Sequence, residues 1–181
     1  VGFVPEDRSV DGLVKEFSVA ENMMLDRSHG EPFVKAGTLQ LGRLTSFASE
    51  KIEEFDIRTQ GPSQVAGSLS GGNQQKVVIA RELSRELKLF IAAQPTRGVD
   101  VGSIEFIHQR VIETRDSGVP VVVISTELDE VTALADRIMV MYRGRVVGIV
   151  PGNTSRETLG LMMAGMSPGA PEAHDENEGA Q

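Results

Sequence analysis

The sequence predicts an α/β fold built on a mostly parallel sheet, and three observations carry that prediction. Two short runs, 87–93 and 119–125, are apolar at most positions and read as strands buried on both faces. Between them Ile104, Ile107 and Val111 mark the inner stripe of a helix. Strand, helix, strand is a crossover, and a crossover makes neighbouring strands parallel. The third observation is the opening run Val1-Gly2-Phe3-Val4, one more apolar strand, separated from the others by a long helical stretch.

Taken in order, Asp11-Gly12 is a turn, and Ser18-Val19-Ala20-Glu21 is a capping box that starts a helix running to about residue 25. Residues 27–43 are rich in Gly and polar groups and are expected to be a mobile connection, with Pro32-Phe33-Val34 able to pack. Leu44, Phe47, Ala48 and Ile52 share a face at helical spacing, which predicts a helix over 44–55. Gly61-Pro62-Ser63 breaks the pattern. A third helix follows Ser70, with Val77, Ala80 and Leu83-Ser84 on one side. Gly118 ends the crossover helix. Thr126 and Glu127 open another, to about 134. Strands at 137–142 and 145–150 are joined by Arg143-Gly144, and Thr154-Ser155-Arg156-Glu157 reads as a second capping box before a last helix ending near Gly165.

Composition narrows the function classes. The chain has 181 residues, 40% hydrophobic and 24% charged, with no cysteine, which argues against a disulfide scaffold. The formal net charge of −8 is partly a tail effect, because residues 167–181 hold four of the 26 acidic residues and none of the 18 basic ones. That tail lacks large apolar side chains and is expected to be disordered. The rest is close to neutral, without the basic stripe that nucleic-acid binding requires. No apolar run reaches the ~20 residues of a membrane span.

The most informative stretch is Leu69-Ser70-Gly71-Gly72-Asn73-Gln74-Gln75-Lys76, followed by Val77-Val78-Ile79-Ala80. A serine can cap the helix, two glycines leave the first N–H groups approachable, and the positive end of the helix dipole attracts an anion. The full string resembles the signature motif of ATP-binding-cassette (ABC) transporter ATPases, in the Asn-Gln-Gln-Lys form of sugar and nucleoside importers. The resemblance runs from Val1 to about Met166. It implies a partial P-loop NTPase-like fold, the C-terminal portion of a second, degenerate cassette. Residues 12–86 would be the helical signature subdomain, and 1–11 with 87–166 the sheet core. The phosphate-cradling Gly-x-x-x-x-Gly-Lys is absent, since no glycine here is followed by lysine.

The same resemblance assigns residues to a site. Ser70, Gly71, Gly72, Asn73 and Gln74 would bind nucleotide together with Asp100 of Arg97-Gly98-Val99-Asp100, although Asp100 also suits a plain N-cap. Where an active cassette ends its strand in Asp-Glu, this chain has Ala93 and Gln94, and Thr126 stands where a histidine is expected. A methyl group holds no hydrated cation, and an amide is not a general base, a group typically worth ~10²–10⁴-fold. Glu6 takes the place of an active-site glutamine and reads either as a solvated turn carboxylate or as a contact to nucleotide or membrane subunit.

The implied substrate is ATP with Mg²⁺, the metal held mainly by the other cassette. The implied partners are the first cassette of the same subunit or a second ATP-binding subunit, transmembrane permease subunits and, indirectly, a substrate-binding protein, with no nucleic acid. The location would be the cytoplasmic face of the membrane, peripherally, and the parent subunit an ATPase of which this piece alone is inactive. The alternatives are a soluble tandem cassette acting on ribosome or DNA, and a non-catalytic regulatory fragment. His29 and His108 have no ligand-spaced partners, so no metal site is expected, and His174 lies in the tail, where it is expected to be solvated. Met23-Met24 and Met162-Met163 are packing candidates, and Phe3 and Phe17 core candidates.

Overall fold

The computed structural model describes residues 1–166, and the acidic tail expected at 167–181 lies outside them. The chain divides into two compact units, Val1–Thr126 and a second that begins at Glu127.

In the first unit β1 (Gly2–Val4), β4 (Phe90–Ala93) and β5 (Val121–Ile124) form a parallel sheet in the order β1-β4-β5. Helix α4 (Val101–Asp116) makes the crossover from β4 to β5, and Gly118, at φ +90°, turns the chain out of it. The strands are shorter than the apolar runs that announce them. Burial also alternates: Val4, Phe90 and Ala92 are buried, whereas Phe3 is 49% exposed, Val122 45% and Ile124 53%. The expected burial on both faces is therefore corrected, because period-2 geometry sends these residues to a face this unit leaves open. Phe3 leaves the predicted core for the same reason. Phe17, 42% exposed, leaves it too: it sits in the turn ahead of α1 and contributes its carbonyl, bonded by the Ala66 N–H at 2.8 Å.

The other helices of this unit lie between β1 and β4 in sequence. The Ser18–Glu21 capping box forms as expected and starts α1 (Val19–Met24), which tightens into a last narrow turn at Leu25–Arg27. The following connection is more structured than its composition suggests. β2 (Val34–Lys35) and β3 (Thr38–Leu39) form a small hairpin, and Phe33 is fully buried with its ring 5.1 Å from that of Phe47. The Arg27 guanidinium lies about 5 Å from both ring centroids, 5.0 and 4.8 Å, so a cation–π stack orders a polar stretch. Helix α2 (Leu41–Glu54) then buries Leu44 and Ala48.

Helix α3 (Gly71–Leu83) departs furthest from a one-sided reading, since every residue from Gln74 to Glu82 is buried. It is central, packing against α1, β1 and α4. Its buried charges persist because each is paired. Arg81 Nε donates to Glu82 at 3.0 Å and Arg81 Nη1 to the Gly12 carbonyl at 2.8 Å, while Glu82 accepts the edge N–H of Phe3 at 3.0 Å.

The second unit is α5 (Leu128–Leu134), β6 (Arg137–Tyr142), β7 (Arg145–Pro151) and α6 (Arg156–Met163). β6 and β7 pair antiparallel as a sheet of their own. Arg143 and Gly144, both at positive φ, make the primed turn that suits a right-twisted hairpin. Ile138, Val140, Leu159 and Met162 form the core. Met163 is 40% exposed, so only one of that methionine pair packs inside. The predicted second capping box slides by one: Ser155, not Thr154, caps α6 by accepting the Thr158 N–H at 3.2 Å. No helix among the described residues is long and apolar enough to cross a membrane.

Candidate nucleotide-facing site

The mouth of α3 is built from its cap outward. Ser70 is extended, at φ −62° and ψ 158°, and its Oγ accepts from the Asn73 N–H at 3.4 Å and from Asn73 Nδ2 at 2.8 Å. The first-turn N–H groups of Gly71 and Gly72 have no intrahelical acceptor, as at any helix start. The motif's longer side chains turn back into the fold. Asn73 Oδ1 accepts the Arg58 N–H at 2.8 Å, and Gln74 Nε2 donates to the Leu69 carbonyl at 3.0 Å. Lys76, 4% exposed, donates to the Asp56 carbonyl at 2.8 Å and its carboxylate at 2.9 Å, under the Phe106 ring at 4.4 Å. That ion pair, first through its hydrogen bond, holds the Asp56 carboxyl below its ordinary 3.8.

The glycines answer to neighbours inside the chain. A Cβ on Gly71 would stand 2.6 Å from Arg8 Nη2 and 2.8 Å from the Gly98 carbonyl oxygen. A Cβ on Gly72 would collide with the Ser103 hydroxyl and stand 2.5 Å from Asp100 Oδ2. The loop 97–100 is thus laid against the first turn of α3, which only glycine there permits. Asp100 caps α4: one carboxylate oxygen accepts the Ser103 N–H at 3.0 Å, the other the Ser103 hydroxyl at 2.9 Å. Those two bonds, the hydroxyl first, keep its carboxyl below the ordinary 3.8. Glu6 reaches the same loop, 2.5 Å from Arg97 Nη1, with both side chains largely exposed.

At the end of β4 lie Ala93 and Gln94. Gln94 is held in the left-handed region at φ +49°, its N–H bonded to the Ile124 carbonyl at 2.7 Å, and its Nε2 is 3.3 Å from Thr126 Oγ1. The Ala93 methyl holds no water at all, the Gln94 amide and Thr126 hydroxyl can orient one but cannot deprotonate it, and none supplies the anionic oxygen that Mg²⁺ prefers. These three residues do not fit a magnesium site.

No family model matches the chain. It is 52% identical over 166 residues to the nucleoside import ATP-binding protein NupA of Lactococcus lactis subsp. cremoris, 91% of this chain and 33% of that protein. It is 46% identical to the guanosine import ATP-binding protein NupO of Bacillus subtilis, over 91% of this chain and 32% of that protein. With the ribose import ATP-binding protein RbsA of Lactococcus lactis subsp. lactis the identity is 38%, over 91% and 33%. The chain belongs to the ABC ATP-binding family. It spans about a third of the length of these curated relatives. The fold agrees: the dimeric ABC cassette MJ0796 bound to ADP and phosphate superposes with a TM-score of 0.68 at 24% identity, covering 85% of this chain and 63% of that one.

Within this ABC cassette sequence, the structure brings Ser70, Gly71, Gly72, Asp100 and Glu6 to loops that touch in sequence-distant pairs, and places Gln94 beside Thr126. The side chains of Asn73 and Gln74 are engaged within the chain. Arg8, Gly98, Ser103 and the Asp56 partner of Lys76 escaped sequence reasoning. Gly98, at φ +66°, carried a signal in its Arg-Gly-Val-Asp setting. Ser103 bonds the nearby Asp100 cap, but its approach to Gly72 left no local trace. Arg8 and Asp56 had no signal, because their partners are 20 to 90 positions away.

Proposed function

We propose that this chain is part of the ATP-binding subunit of an ABC importer for nucleosides or sugars. It supplies the mouth of α3 to an ATP site shared with another cassette. The observation that carries the reading is the first turn of α3, where a capped serine and two glycines leave N–H donors at the positive end of a helix braced from behind. Such a mouth suits the γ-phosphate of ATP. The relatives' names, import ATP-binding proteins for nucleoside, guanosine and ribose, support the transport class. Domain limits of 12–86 for the signature region and 1–11 with 87–166 for the sheet core remain part of this proposal.

The site that would belong to this cassette is non-catalytic on this reading, because Ala93, Gln94 and Thr126 provide neither a base nor a metal ligand. Mg²⁺ and the water-activating carboxylate would come from the other cassette, with permease subunits as partners at the cytoplasmic face. Gly71→Asp and Ser70→Arg in the full-length protein test this directly. Uptake is expected to vanish while ATP binding at the other cassette's phosphate loop persists. Uptake at the wild-type level in either variant refutes the assignment.

A further inference from the structure

The segment after β1 has a residue that neither the proposed chemistry nor the family comparison uses. Arg8 spans three loops. Its Nη1 donates to the Arg97 carbonyl at 2.7 Å and its Nη2 to the Gly98 carbonyl at 3.2 Å, while Nε is buried with no acceptor. The same Nη2 occupies the space beside Gly71, 2.6 Å from where a Cβ would be. Gly98 presents its carbonyl from the left-handed region, at φ +66°. Arg8, Gly71 and Gly98 therefore depend on one another: the guanidinium fits only against a glycine, and its two acceptors are successive carbonyls that a planar fork can take together.

We propose that Arg8 is a positioning residue that clamps the 97–100 loop against the first turn of α3, so that both move as one piece when the shared ATP site closes. This rests on the composite-site reading. Both hydrogen bonds of Arg8 go to carbonyls of the 97–100 loop, so it acts through the loop rather than on the nucleotide. Glu6 adds a second tie to the same loop through Arg97, but that pair is solvated and screened.

The clamp predicts a kinetic signature. An interaction needed for closure, and absent from initial ATP capture, lowers kcat and leaves KM nearly alone. The test is steady-state ATPase of the full-length subunit assembled with its permease, using ATP as the only ligand, for Arg8→Ala, Arg8→Lys and the control Gly71→Asp. Expected for Arg8→Ala is a fall in kcat of about tenfold with KM for ATP within about twofold. Arg8→Lys, which serves one carbonyl but not two, should recover part of that loss. Hydrogen exchange should quicken at the amides of 97–103 in Arg8→Ala and not in the α1 region. Wild-type kcat in Arg8→Ala overturns the proposal, as does an increase in KM matching the fall in kcat. If Arg8→Ala does not assemble, Arg8→Lys decides: lowered kcat at constant KM supports the clamp, and wild-type kcat, or failure of both variants to assemble, refutes it. An active Gly71→Asp would instead remove the composite-site reading itself.

Discussion

The mouth of α3 and the end of β4 lie in the same unit and are held in opposite ways. At α3 the functional candidates are the smallest residues available, and each missing side chain is filled by another part of the chain: Arg8 and the Gly98 carbonyl at Gly71, Ser103 and Asp100 at Gly72. At β4 the side chains are larger yet loosely engaged. Gln94 sits in a backbone conformation that L-residues seldom adopt, with one 3.3 Å contact to Thr126. Tight constraint marks the mouth of α3, while the β4 end keeps the geometry of a strand-to-loop turn with a methyl, an amide and a hydroxyl at Ala93, Gln94 and Thr126.

The sharpest way to break that contrast is Gly72→Ala. Its Cβ would meet Ser103 Cβ at 2.9 Å and Asp100 Oδ2 at 2.5 Å, and the carboxylate can swing away only by giving up its cap on α4. Urea unfolding of the intact protein should show a loss near the top of the overpacking range, about 3 kcal/mol. A loss under about 0.5 kcal/mol would mean the two helix starts separate easily. Next in size is Lys76→Met. The ammonium is buried while Asp56 is 66% exposed, so the orphaned carboxylate rehydrates and the cost is that of a charged hydrogen bond, about 2 kcal/mol. An unchanged unfolding midpoint would show that the turn at 55–58 needs no tie to the signature helix.

The acid limb sharpens the comparison from another side. Asp56 and Asp100 titrate below 3.8 in the folded chain, so their stabilisation is fully present above that value and is lost as pH falls through the depressed folded values. Asp56→Asn and Asp100→Asn should therefore be less stable than wild type at neutral pH, with the gap closing on acidification below 3.8. A gap that is constant with pH would assign the effect to packing. The smallest effects belong to β4. Gln94→Gly should stabilise by no more than about 1 kcal/mol, relief of left-handed strain offset by the flexibility of unfolded glycine. Gln94→Glu should change the ATPase rate of the full-length protein by less than about twofold, since one repaired member of a catalytic unit recovers little. A clear second turnover in that variant would end the view of β4 as non-catalytic.

How much was legible varied with the range of the interactions. Ser18–Glu21, Ser70 and Asp100 were read correctly as caps because a cap joins residues two or three apart. In the 27–43 stretch the packing of Phe33 is legible, but the hairpin and the stack of Phe33 and Arg27 on Phe47 are not, because Phe47 lies twenty residues beyond Arg27. Phe3 was placed in the core because an apolar residue on a strand does not declare which face is covered. In the site, the residue types at the mouth of α3 were visible, but what they press against was not.

The sequence by itself determined most of the elements and turns, the caps at Ser18, Ser70 and Asp100, the β4-α4-β5 crossover and the lack of a carboxylate or imidazole at Ala93, Gln94 and Thr126, since each depends on local spacing or on what a side chain can donate. Only the tertiary structure decided that α3 is buried from Gln74 to Glu82, that Gly71 and Gly72 make room for Arg8, Gly98, Asp100 and Ser103, and that Gln74 and Lys76 face inward. Those facts depend on which distant segments share space, and close packing sets that for the molecule as a whole.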